Sequence, residues 1–239
     1  MKNIVFTVPV EGPSLNKMVS LVSCQLTWIV TLNPEMLLAA RYDPSYAKTI
    51  RTADVRAVDG FGLWACLRLT GRRTARVTGG QLVDRLLVEA NQREWRVAVI
   101  GGAEGAAIQA VDRMHKLYPK VTFHAEPGGH VFIDGSEDEV TSRARERLVT
   151  FDPQILFVAF GHPKQERWIE LHRRDYPSLR CVIGVGGVID VWAGMVKPSP
   201  RWMRQMGLEW LWRVAQEPRR VRRIVNAVLV FPWRFFTER

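Results

Sequence analysis

Three continuous apolar segments that break into glycine constrain the fold of this chain most strongly. They are residues 95–100, followed by Gly101-Gly102, residues 154–160, followed by Gly161, and residues 181–187, which end in Gly186-Gly187. Short apolar runs between glycines are typical of strands buried on both faces. Helical patterns follow the first two runs, at residues 106–117 and 167–174. Strands that alternate with helices at this spacing predict a mostly parallel, doubly wound sheet.

The rest of the chain continues this alternation. Further strands are predicted at residues 25–31, 55–58 and 121–124, and further helices at residues 15–26, 35–41, 63–69, 81–92 and 137–149. Pro34 suits the first turn of its helix, with Asn33 as the cap. The predicted fold class is α/β, with a Rossmann-like, mostly parallel sheet and helices on both faces. We predict that residues 1–194 form this core and that residues 195–239 form a helical C-terminal appendage.

Length and cysteine content exclude several other classes of protein. A chain of 239 residues suits one large domain, or one domain with an appendage. Its three cysteines are far apart and form no CxxC pair, so neither a disulfide framework nor a zinc site is predicted, and a reducing cytoplasm fits best. The N-terminal residues lack a signal-peptide pattern, and no run of about 18 apolar residues predicts a transmembrane helix. Any membrane contact is therefore expected to be peripheral.

The positive charge is concentrated near the C-terminus. Of the formal net charge of +10, residues 195–239 carry +7, from ten Lys and Arg side chains and three Glu. Basic residues interleaved with Trp, Phe and Leu at helical spacing predict an interfacial helix on anionic lipid. Two alternatives remain open, a nucleic-acid-binding arm and a helix packed on the domain. The dense aliphatic and aromatic content favours the membrane.

Asp59 is the first candidate for chemistry. It follows the predicted strand at residues 55–58 and precedes Gly60 and Gly62, so it is expected at the carboxyl end of a strand, where open α/β sheets bind ligands. A carboxylate there can act as a general base, orient a sugar or hold a metal. Asp59 can equally cap a helix that begins near Gly62.

Glycine turns after two buried strands are candidate anion sites. Gly101-Gly102 and Gly161 each precede a helix, where backbone N–H groups and the helix dipole can bind an anion such as a nucleotide diphosphate. The match to G-x-G-x-x-G is imperfect and no P-loop motif occurs, so neither a standard dinucleotide site nor a kinase-type phosphate site is supported. Tight turns without a ligand explain each glycine cluster equally well.

A polar loop follows the second of these strands. His162, Lys164, Gln165 and Glu166 crowd the first turn of the next helix, and Pro163 at the first helical position would fix that turn. Lys164 or Gln165 can bind phosphate or sugar hydroxyls. The alternative is that Lys164 and Glu166 are solvated and that His162 is structural.

The acidic residues favour a reaction without a metal ion. The chain has no D-x-D pair of the kind that metal-dependent sugar-nucleotide enzymes often use, and its acidic run at residues 137–139 is predicted to be a helix start. Cationic side chains would then have to stabilise a leaving diphosphate. The basic C-terminal residues can supply such side chains.

Taken together, these segments resemble the WecG/TagA/CpsF family of bacterial glycosyltransferases. The matching stretches run in family order from about residue 28 to residue 223: Thr31-Leu-Asn-Pro-Glu-Met, Ala53-Asp-Val, Asp59-Gly-Phe-Gly, Arg76-Val-Thr-Gly, Gly101-Gly102, Phe160-Gly-His-Pro-Lys-Gln-Glu-Arg-Trp-Ile, Gly184-Val-Gly-Gly-Val-Ile-Asp, Pro200-Arg-Trp-Met, Gly207-Leu-Glu-Trp-Leu-Trp-Arg and Glu217-Pro-Arg-Arg. The departures are mild. Leu32 stands where the family usually has Pro, and Val188-Ile189 where an aromatic residue is common.

The resemblance implies an inverting, metal-independent transferase without a cofactor. It would move a sugar of the ManNAc, ManNAcA or glucose type from a UDP-sugar to a polyprenyl-diphosphate-linked GlcNAc or glycan. It would work on the cytoplasmic face of the bacterial plasma membrane, with residues 195–239 anchored on the anionic surface and completing the active site. No nucleic-acid partner is expected, and the sequence is compatible with a homo-oligomer.

The resemblance also assigns roles to residues. Asp59 would be the general base for the acceptor hydroxyl. Substrate contacts are expected from Thr31, Asn33, Arg76, Thr78, Gly79, Gln165, Arg201 and Arg204. Nucleotide or diphosphate contacts are expected from Gly101, Gly102, Gly161, Lys164, Gly186, Gly187 and Asp190.

Two alternative functions of other classes are a nucleotide-binding oxidoreductase and a nucleic-acid-binding module. The oxidoreductase would need a ribose-binding acid, for which Glu126 is a weak candidate. The nucleic-acid module would bind DNA or RNA with a steep salt dependence. Neither alternative explains Asp59 and the Gln165 loop together.

Overall fold

The computed structural model describes residues 3–200, 203, 206, 209–216, 221 and 225–238. Its strands are β1 (Asn3–Val5), β2 (Val8–Val10), β3 (Thr27–Leu32), β4 (Val55–Val58), β5 (Arg96–Gly101), β6 (Thr122–Glu126), β7 (Ile155–Ala159) and β8 (Cys181–Gly184). Its helices are α1 (Leu15–Cys24), α2 (Pro34–Tyr42), α3 (Pro44–Thr52), α4 (Phe61–Leu69), α5 (Gly79–Arg93), α6 (Ala106–Leu117), α7 (Glu139–Phe151), α8 (Lys164–His172), α9 (Val188–Trp192), α10 (Glu209–Gln216) and α11 (Phe231–Thr237), the last preceded by a π-helical turn (Asn226–Val230).

Six strands form one sheet in the order β4-β3-β8-β7-β5-β6. Every neighbouring pair in it is parallel, whereas β1 and β2 form a separate antiparallel hairpin. The chain runs outward from β5 to β6 but in the opposite direction from β7 to β8. The carboxyl ends of β5 and β7 therefore flank a topological switch point, the place where open α/β sheets form a ligand crevice.

Helices cover both faces of the sheet, as the sequence predicts. Alternate side chains of each strand enter two separate cores: in β3, Trp28, Val30 and Leu32 belong to one core and Ile29 to the other. Helices α2, α3, α4, α7 and α8 cover the first core, and α1, α5, α6 and α9 cover the second. This confirms the Rossmann-like α/β fold.

The last described helix returns to the sheet domain. In α11, Phe231 is fully buried and Phe235 is 6% exposed, and both belong to the first core. The Phe231 ring lies 5.8 Å from that of Phe6 in the β1–β2 turn, edge to face. One side of α11 is thus bound by the hydrophobic effect to the N-terminal hairpin and to α2 and α4.

Helix α10 is held to the chain just beyond α9. The Trp212 indole N–H and the Gln216 amide both donate to the carbonyl of Lys197, at 3.0 and 3.2 Å. The predicted substrate residues Arg201 and Arg204, and the arginine cluster at positions 219–223, lie outside the described residues apart from Val221.

The structure corrects one predicted boundary in the polar loop. Helix α8 begins at Lys164, three residues earlier than predicted, and Pro163 is its N-cap rather than its first helical residue. The carbonyls of Gly161 and Pro163 already accept from the N–H groups of Gln165 and Arg167, at 2.9 and 3.4 Å. The predicted position of Pro163 is therefore wrong by one residue, because the helix begins at Lys164, directly after the proline.

Two small elements were not predicted at all. The β1–β2 hairpin has only three residues in each strand, which is too short for an alternating pattern to be recognised. Helix α9 has five residues and follows directly on two glycines. Within the described part of the chain, no helix is both long and apolar enough to cross a bilayer.

Candidate active site

The predicted site residues at the ends of the strands lie, within the described part of the chain, at one edge of the sheet. Asp59 follows β4, Asn33 follows β3, Gly186 follows β8, Gly161 follows β7 and Gly102 follows β5. Because all these strands are parallel, their carboxyl ends meet at the same edge. Five neighbouring strands therefore contribute to one extended site.

Asp59 is held between two helix starts. Its Oδ1 accepts from the N–H of Gly60 at 2.5 Å, and its Oδ2 accepts from the N–H of Gly79, the first residue of α5, at 3.3 Å. The interpretation of Asp59 as the cap of α4 is wrong, because Gly60 occupies that position without a side-chain bond. The carboxylate is half-buried and fixed in orientation, as a positioned base needs to be.

The side chains of Thr31 and Asp59 both lie beside Gly79. A Cβ built on Gly79 would lie 3.7 Å from the Thr31 hydroxyl and 3.9 Å from Asp59 Oδ2. Gly79 thus brings the β3 end, the β4 end and the start of α5 within contact distance of one another. The predicted residues Thr31, Asp59 and Gly79 form one cluster.

The segment from Arg76 to Gly79 extends the edge beyond β4. Arg76 forms a parallel bridge with Val58, and the Val77 N–H donates to the Val58 carbonyl at 2.9 Å. The Arg76 guanidinium lies 6.0 Å above the Phe61 ring, and Thr78 caps α5 in a reciprocal capping box. Arg76 is therefore beside Asp59, whereas the Thr78 hydroxyl is used within the protein.

Asn33 also has a structural task. Its side-chain oxygen accepts from the N–H of Met36 at 3.0 Å and so caps α2, as predicted. A Cβ on Gly60 would lie 3.5 Å from the Asn33 Cβ and 3.1 Å from the Pro34 ring. This contact places Asn33 directly beside the Asp59 turn.

A cavity of about 340 Å³ opens at the switch point. It is lined by Gly101, Gly102, Glu104, Pro127, Gly128, Gly129, His130, Val131, Ala159, Phe160 and Lys164. Lys164 is half-buried in the first turn of α8 and brings a positive charge to this wall. The sequence predicts Gly101, Gly102 and Lys164 here, but not the loop after β6 or the Phe160 ring.

The Phe160 ring explains why two of these positions are glycine. Gly101 and Gly128 have φ angles of +90° and +66°. A Cβ on either one would come within 2.9 Å of the Phe160 ring. Both left-handed backbone and close approach to the ring therefore require glycine.

The turn between β5 and α6 is hydrogen-bonded within the protein. The Gly102 N–H donates to the Ala159 carbonyl at 2.9 Å, and the Ala103 N–H donates to Asp190 Oδ1 at 3.2 Å. An anion in the cavity therefore needs donors other than these two N–H groups, and Lys164 is one such donor in the lining. The same contacts place Asp190 beside Gly102, at the mouth of the cavity.

Gln165 lies at the carboxyl ends of β7 and β8 and is 6% exposed. Its oxygen accepts from the Gly161 N–H at 3.1 Å, and its Nε2 donates to Glu166 Oε1 at 2.7 Å. A Cβ on Gly184 would come within 2.5 Å of Nε2 and a Cβ on Gly186 within 3.8 Å of Oε1. Gly184, the last residue of β8, and Gly186 thus make room for the amide of Gln165.

Sequence reasoning missed Glu166. It is 2% exposed, so the interpretation of Glu166 as a solvated residue is wrong. Burial raises the pKa of its carboxyl group to about 7, although hydrogen bonds from Gln165 and Tyr46 oppose that shift. The Tyr46 hydroxyl donates to Glu166 Oε2 at 3.0 Å. An acidic residue in the first turn of a helix is usually exposed, so the local sequence does not indicate that Glu166 is buried. Its burial depends on contact with Tyr46 in α3, which is 120 residues away along the chain.

Other acidic groups are used elsewhere. Glu126, the candidate ribose acid of an oxidoreductase, accepts two hydrogen bonds from Arg147, at 2.8 and 2.7 Å. Across the described residues, no three His, Cys, Asp or Glu side chains are grouped so as to hold a metal ion. Asp59 and Asp190 are the predicted acidic residues at this edge of the sheet, and Glu104 also lines the cavity.

A doubly wound parallel sheet with a fixed carboxylate and a switch-point cavity at its carboxyl edge defines a Rossmann-like α/β enzyme. A sequence profile of the "Glycosyl transferase WecG/TagA/CpsF family" matches residues 4–239. The chain belongs to this family and is a glycosyltransferase.

Curated relatives agree with the family. A protein of Bacillus spizizenii is 30% identical over 200 residues, one of Bacillus subtilis strain 168 is 31% identical over 199, and one of Staphylococcus aureus strain MRSA252 is 31% identical over 198. Each match covers 82–83% of this chain and 75% of the relative. All three are named N-acetylglucosaminyldiphosphoundecaprenol N-acetyl-beta-D-mannosaminyltransferase.

Proposed function

We propose that this glycosyltransferase moves N-acetylmannosamine, or a closely related sugar, from a UDP-sugar to a polyprenyl-diphosphate-linked GlcNAc, with inversion and without a metal ion. The names of the relatives support the acceptor and the sugar. The observation that carries the proposal is the Asp59 carboxylate, fixed by two backbone N–H groups beside Thr31 and Arg76. The product belongs to the assembly of a cell-envelope polysaccharide.

In this mechanism Asp59 takes the proton of the acceptor hydroxyl as its oxygen attacks the anomeric carbon of the donor. The new glycosidic C–O bond forms while the bond from that carbon to the diphosphate oxygen breaks, and the electron pair leaves with UDP. A positioned base of this kind typically contributes about 10²- to 10⁴-fold to the rate. One in-line displacement inverts the anomeric centre.

The donor would extend along the sheet edge. Asp59 follows the edge strand β4, whereas the cavity lies between β7 and β5. Neighbouring strands are about 4.8 Å apart, so roughly 15 Å separates the base from the cavity. An elongated nucleotide-sugar suits this span, with the nucleotide in the cavity and the sugar near Asp59.

Specific contacts follow for the nucleotide. Lys164 would neutralise the diphosphate as negative charge develops on the leaving group. Asp190, beside Gly102, would accept hydrogen bonds from ribose hydroxyls. Gln165 and Arg76 would contact the sugar or the diphosphate from the β7 and β4 sides.

The lipid-linked acceptor calls for contact with a membrane. We infer that residues 195–239 bind the anionic inner face of the plasma membrane. Leu229 in the π-helical turn and Trp233 and Phe236 in α11 are exposed, whereas Phe231 and Phe235 of α11 are buried in the first core. Exposed Trp and Phe beside a net charge of +7 suit an anionic interface.

The proposal is tested with the full chain in mixed micelles. UDP-ManNAc, UDP-ManNAcA, UDP-glucose and UDP-GlcNAc would each be supplied with polyprenyl-diphosphate-GlcNAc, with and without EDTA, while UDP release and product mass are followed. We expect transfer from UDP-ManNAc that is unchanged by EDTA. Loss of turnover in EDTA, restored by Mg²⁺, would contradict the metal-free mechanism, and transfer from UDP-glucose alone would contradict the sugar.

A further inference from the structure

We propose that Glu166 is a positioning residue that, together with Tyr46, holds the Gln165 amide in one orientation at the β7–β8 edge. The proposal rests on the proposed function in one respect, since it takes Gln165 to be a substrate contact. Glu166 itself is buried and touches no substrate. It acts through the side chain that precedes it.

Both carboxylate oxygens of Glu166 are engaged by neutral groups. Oε1 accepts from Gln165 Nε2 at 2.7 Å, and Oε2 accepts from the Tyr46 hydroxyl at 3.0 Å. Tyr46 belongs to α3 and is fully buried. Within the described part of the chain, no Lys, Arg or His forms an ion pair with Glu166. The adjacent Arg167 pairs with Asp43 instead, at 2.6 Å.

A buried carboxylate without a cation is unfavourable for folding. Burial of a charged group costs free energy unless it is paired, and an apolar residue of similar volume is usually at least as stable. Packing alone therefore gives no reason for an acid at this position. The hydrogen bond that Glu166 accepts from Gln165 does give a reason for an acid at this position.

The two partners of Gln165 permit only one orientation of its amide. The Gly161 N–H needs an acceptor and Glu166 Oε1 needs a donor. A flipped amide would set its NH₂ group against the Gly161 N–H and its oxygen against a carboxylate oxygen. In the observed orientation, the Gln165 amide retains one N–H of its Nε2 and one lone pair of its Oε1 for a ligand.

The packing around Gln165 reinforces this selection. A Cβ on Gly184 would lie 2.5 Å from Nε2, so the amide lies directly against Gly184 at the end of β8. Its remaining freedom is rotation about its own bond to Cγ, which the hydrogen bonds to Gly161 and Glu166 restrict. Removal of the Glu166 acceptor would leave the Gly161 bond alone to orient the amide.

The test compares two substitutions of Glu166. In Glu166→Gln, the new side-chain oxygen can still accept from Gln165 while its NH₂ donates to the Tyr46 oxygen. In Glu166→Met, the volume is retained but the acceptor is lost. We expect Glu166→Gln to keep kcat/KM within about threefold of wild type and Glu166→Met to lose tenfold or more, with an unchanged or higher Tm.

A double-mutant cycle separates positioning from a structural role. In a Gln165→Ala background, Glu166→Met should have no further effect on kcat/KM, because the side chain that it positions is gone. An equal loss in both backgrounds, or a loss that follows a fall in Tm, would overturn the proposal. Wild-type activity in Glu166→Met would also overturn it.

A readout independent of turnover distinguishes this proposal from the proposed function. In ¹⁵N-labelled full-length protein, the side-chain NH₂ resonances of Gln165, assigned by their absence in Gln165→Ala, should exchange slowly with solvent. Glu166→Met should accelerate that exchange at least tenfold, and Glu166→Gln should not. Fast exchange in the wild type would refute the positioning role even if transfer is observed, and slow exchange lost in Glu166→Met would support it even if every donor fails.

Discussion

At the scale of single residues, the glycines show how backbone conformation and packing together determine which residue a position accepts. Gly101 needs glycine twice, for a φ of +90° and for the Phe160 ring, where an added Cβ would lie 2.9 Å away. Gly71 has a φ of +76° but nothing within 4 Å of an added Cβ. A substituted residue would be strained at both positions, but only at position 101 would it also contact another side chain.

This difference gives a first prediction. Gly101→Ala should lower the free energy of unfolding by about 2–4 kcal/mol, from strain plus overpacking against Phe160. Gly71→Ala should cost only about 1 kcal/mol, from strain alone. Urea denaturation of both variants measures the difference. Equal losses would mean that the Phe160 contact does not determine the choice of residue.

The buried Glu166 gives a second prediction, for stability against pH. Its pKa is raised to about 7 in the folded state, from an ordinary value of 4.5. The neutral acid is therefore favoured by folding, so this contribution is fully present below about pH 4.5 and is lost as the pH rises through about 7. At 1.36 kcal/mol per pKa unit, the loss amounts to about 3 kcal/mol.

Glu166→Gln isolates this effect. Tyr46, which faces Glu166 from α3, keeps its proton throughout this range because burial, above all, and the nearby Glu166 raise its pKa well above the usual value. The difference in unfolding free energy between wild type and Glu166→Gln should therefore change by about 3 kcal/mol between pH 4.5 and 8. The wild type should become less stable relative to Glu166→Gln as the pH rises. A difference independent of pH would show that Glu166 titrates as it does in the unfolded chain.

Sequence could predict Asp59 but not Glu166, and the reason is physical. The position of Asp59 follows from a local pattern, an apolar strand that ends before glycine. The burial of Glu166 follows from packing of α8 against α3, whose Tyr46 is far away along the chain. Local patterns carry no information about such a contact.

At the scale of elements, the strands and helices with strong apolar periodicity were predictable within a few residues. The β4 strand and helix α6 have the predicted bounds. The hairpin of β1 and β2 and the short helix α9 were not predictable, because elements of three to five residues are too short to show a repeating apolar pattern and are set by the surfaces on which they pack. The start of α8 was predicted three residues too late, because its first turn, Lys164-Gln-Glu166, contains no apolar residue.

Helix α11 gives a third prediction, since its two sides have different tasks. Phe231→Ala removes a fully buried ring from the first core and should cost about 3–5 kcal/mol of unfolding free energy. Trp233→Ala changes a side chain that is 61% exposed and should leave stability within about 0.5 kcal/mol. Thermal and urea denaturation of the two variants test this difference.

Substitutions on the exposed side of α11 test the proposed membrane contact of this helix. Trp233→Ala should weaken flotation with phosphatidylglycerol vesicles severalfold, although its stability is unchanged, because it loses an interfacial ring. Undiminished flotation of Trp233→Ala and of the matching Phe236→Ala variant would exclude this side of α11 from the interface.

At the scale of the whole molecule, the asymmetric charge predicts how the enzyme finds its substrate. Residues 195–239 hold +7 of the net +10, and the rest of the chain is close to neutral for its size. Sequence composition alone locates this charge, but it cannot show how α11 combines a buried side with an exposed one.

A fourth prediction follows for vesicle binding by the full chain. At low salt, binding to vesicles with phosphatidylglycerol should exceed binding to pure phosphatidylcholine vesicles by at least tenfold. This ratio should decrease as the salt concentration rises, because the Debye length falls from about 10 Å at 0.1 M to about 3 Å at 1 M. Sedimentation with sucrose-loaded vesicles measures both. Equal binding to the two lipids at every salt concentration would contradict an electrostatic contribution.

The family establishes a glycosyltransferase, and the central claim beyond it is that Asp59 is its base. The most direct test is single-turnover transfer from the preferred donor by Asp59→Asn, with Asp112→Asn, an exposed substitution on α6, as the matched control. We predict that Asp59→Asn keeps the Tm of the wild type and loses about 10²- to 10⁴-fold in rate, while Asp112→Asn is unaffected. A rate for Asp59→Asn within threefold of the wild type would contradict the assignment and place the base elsewhere on the sheet edge.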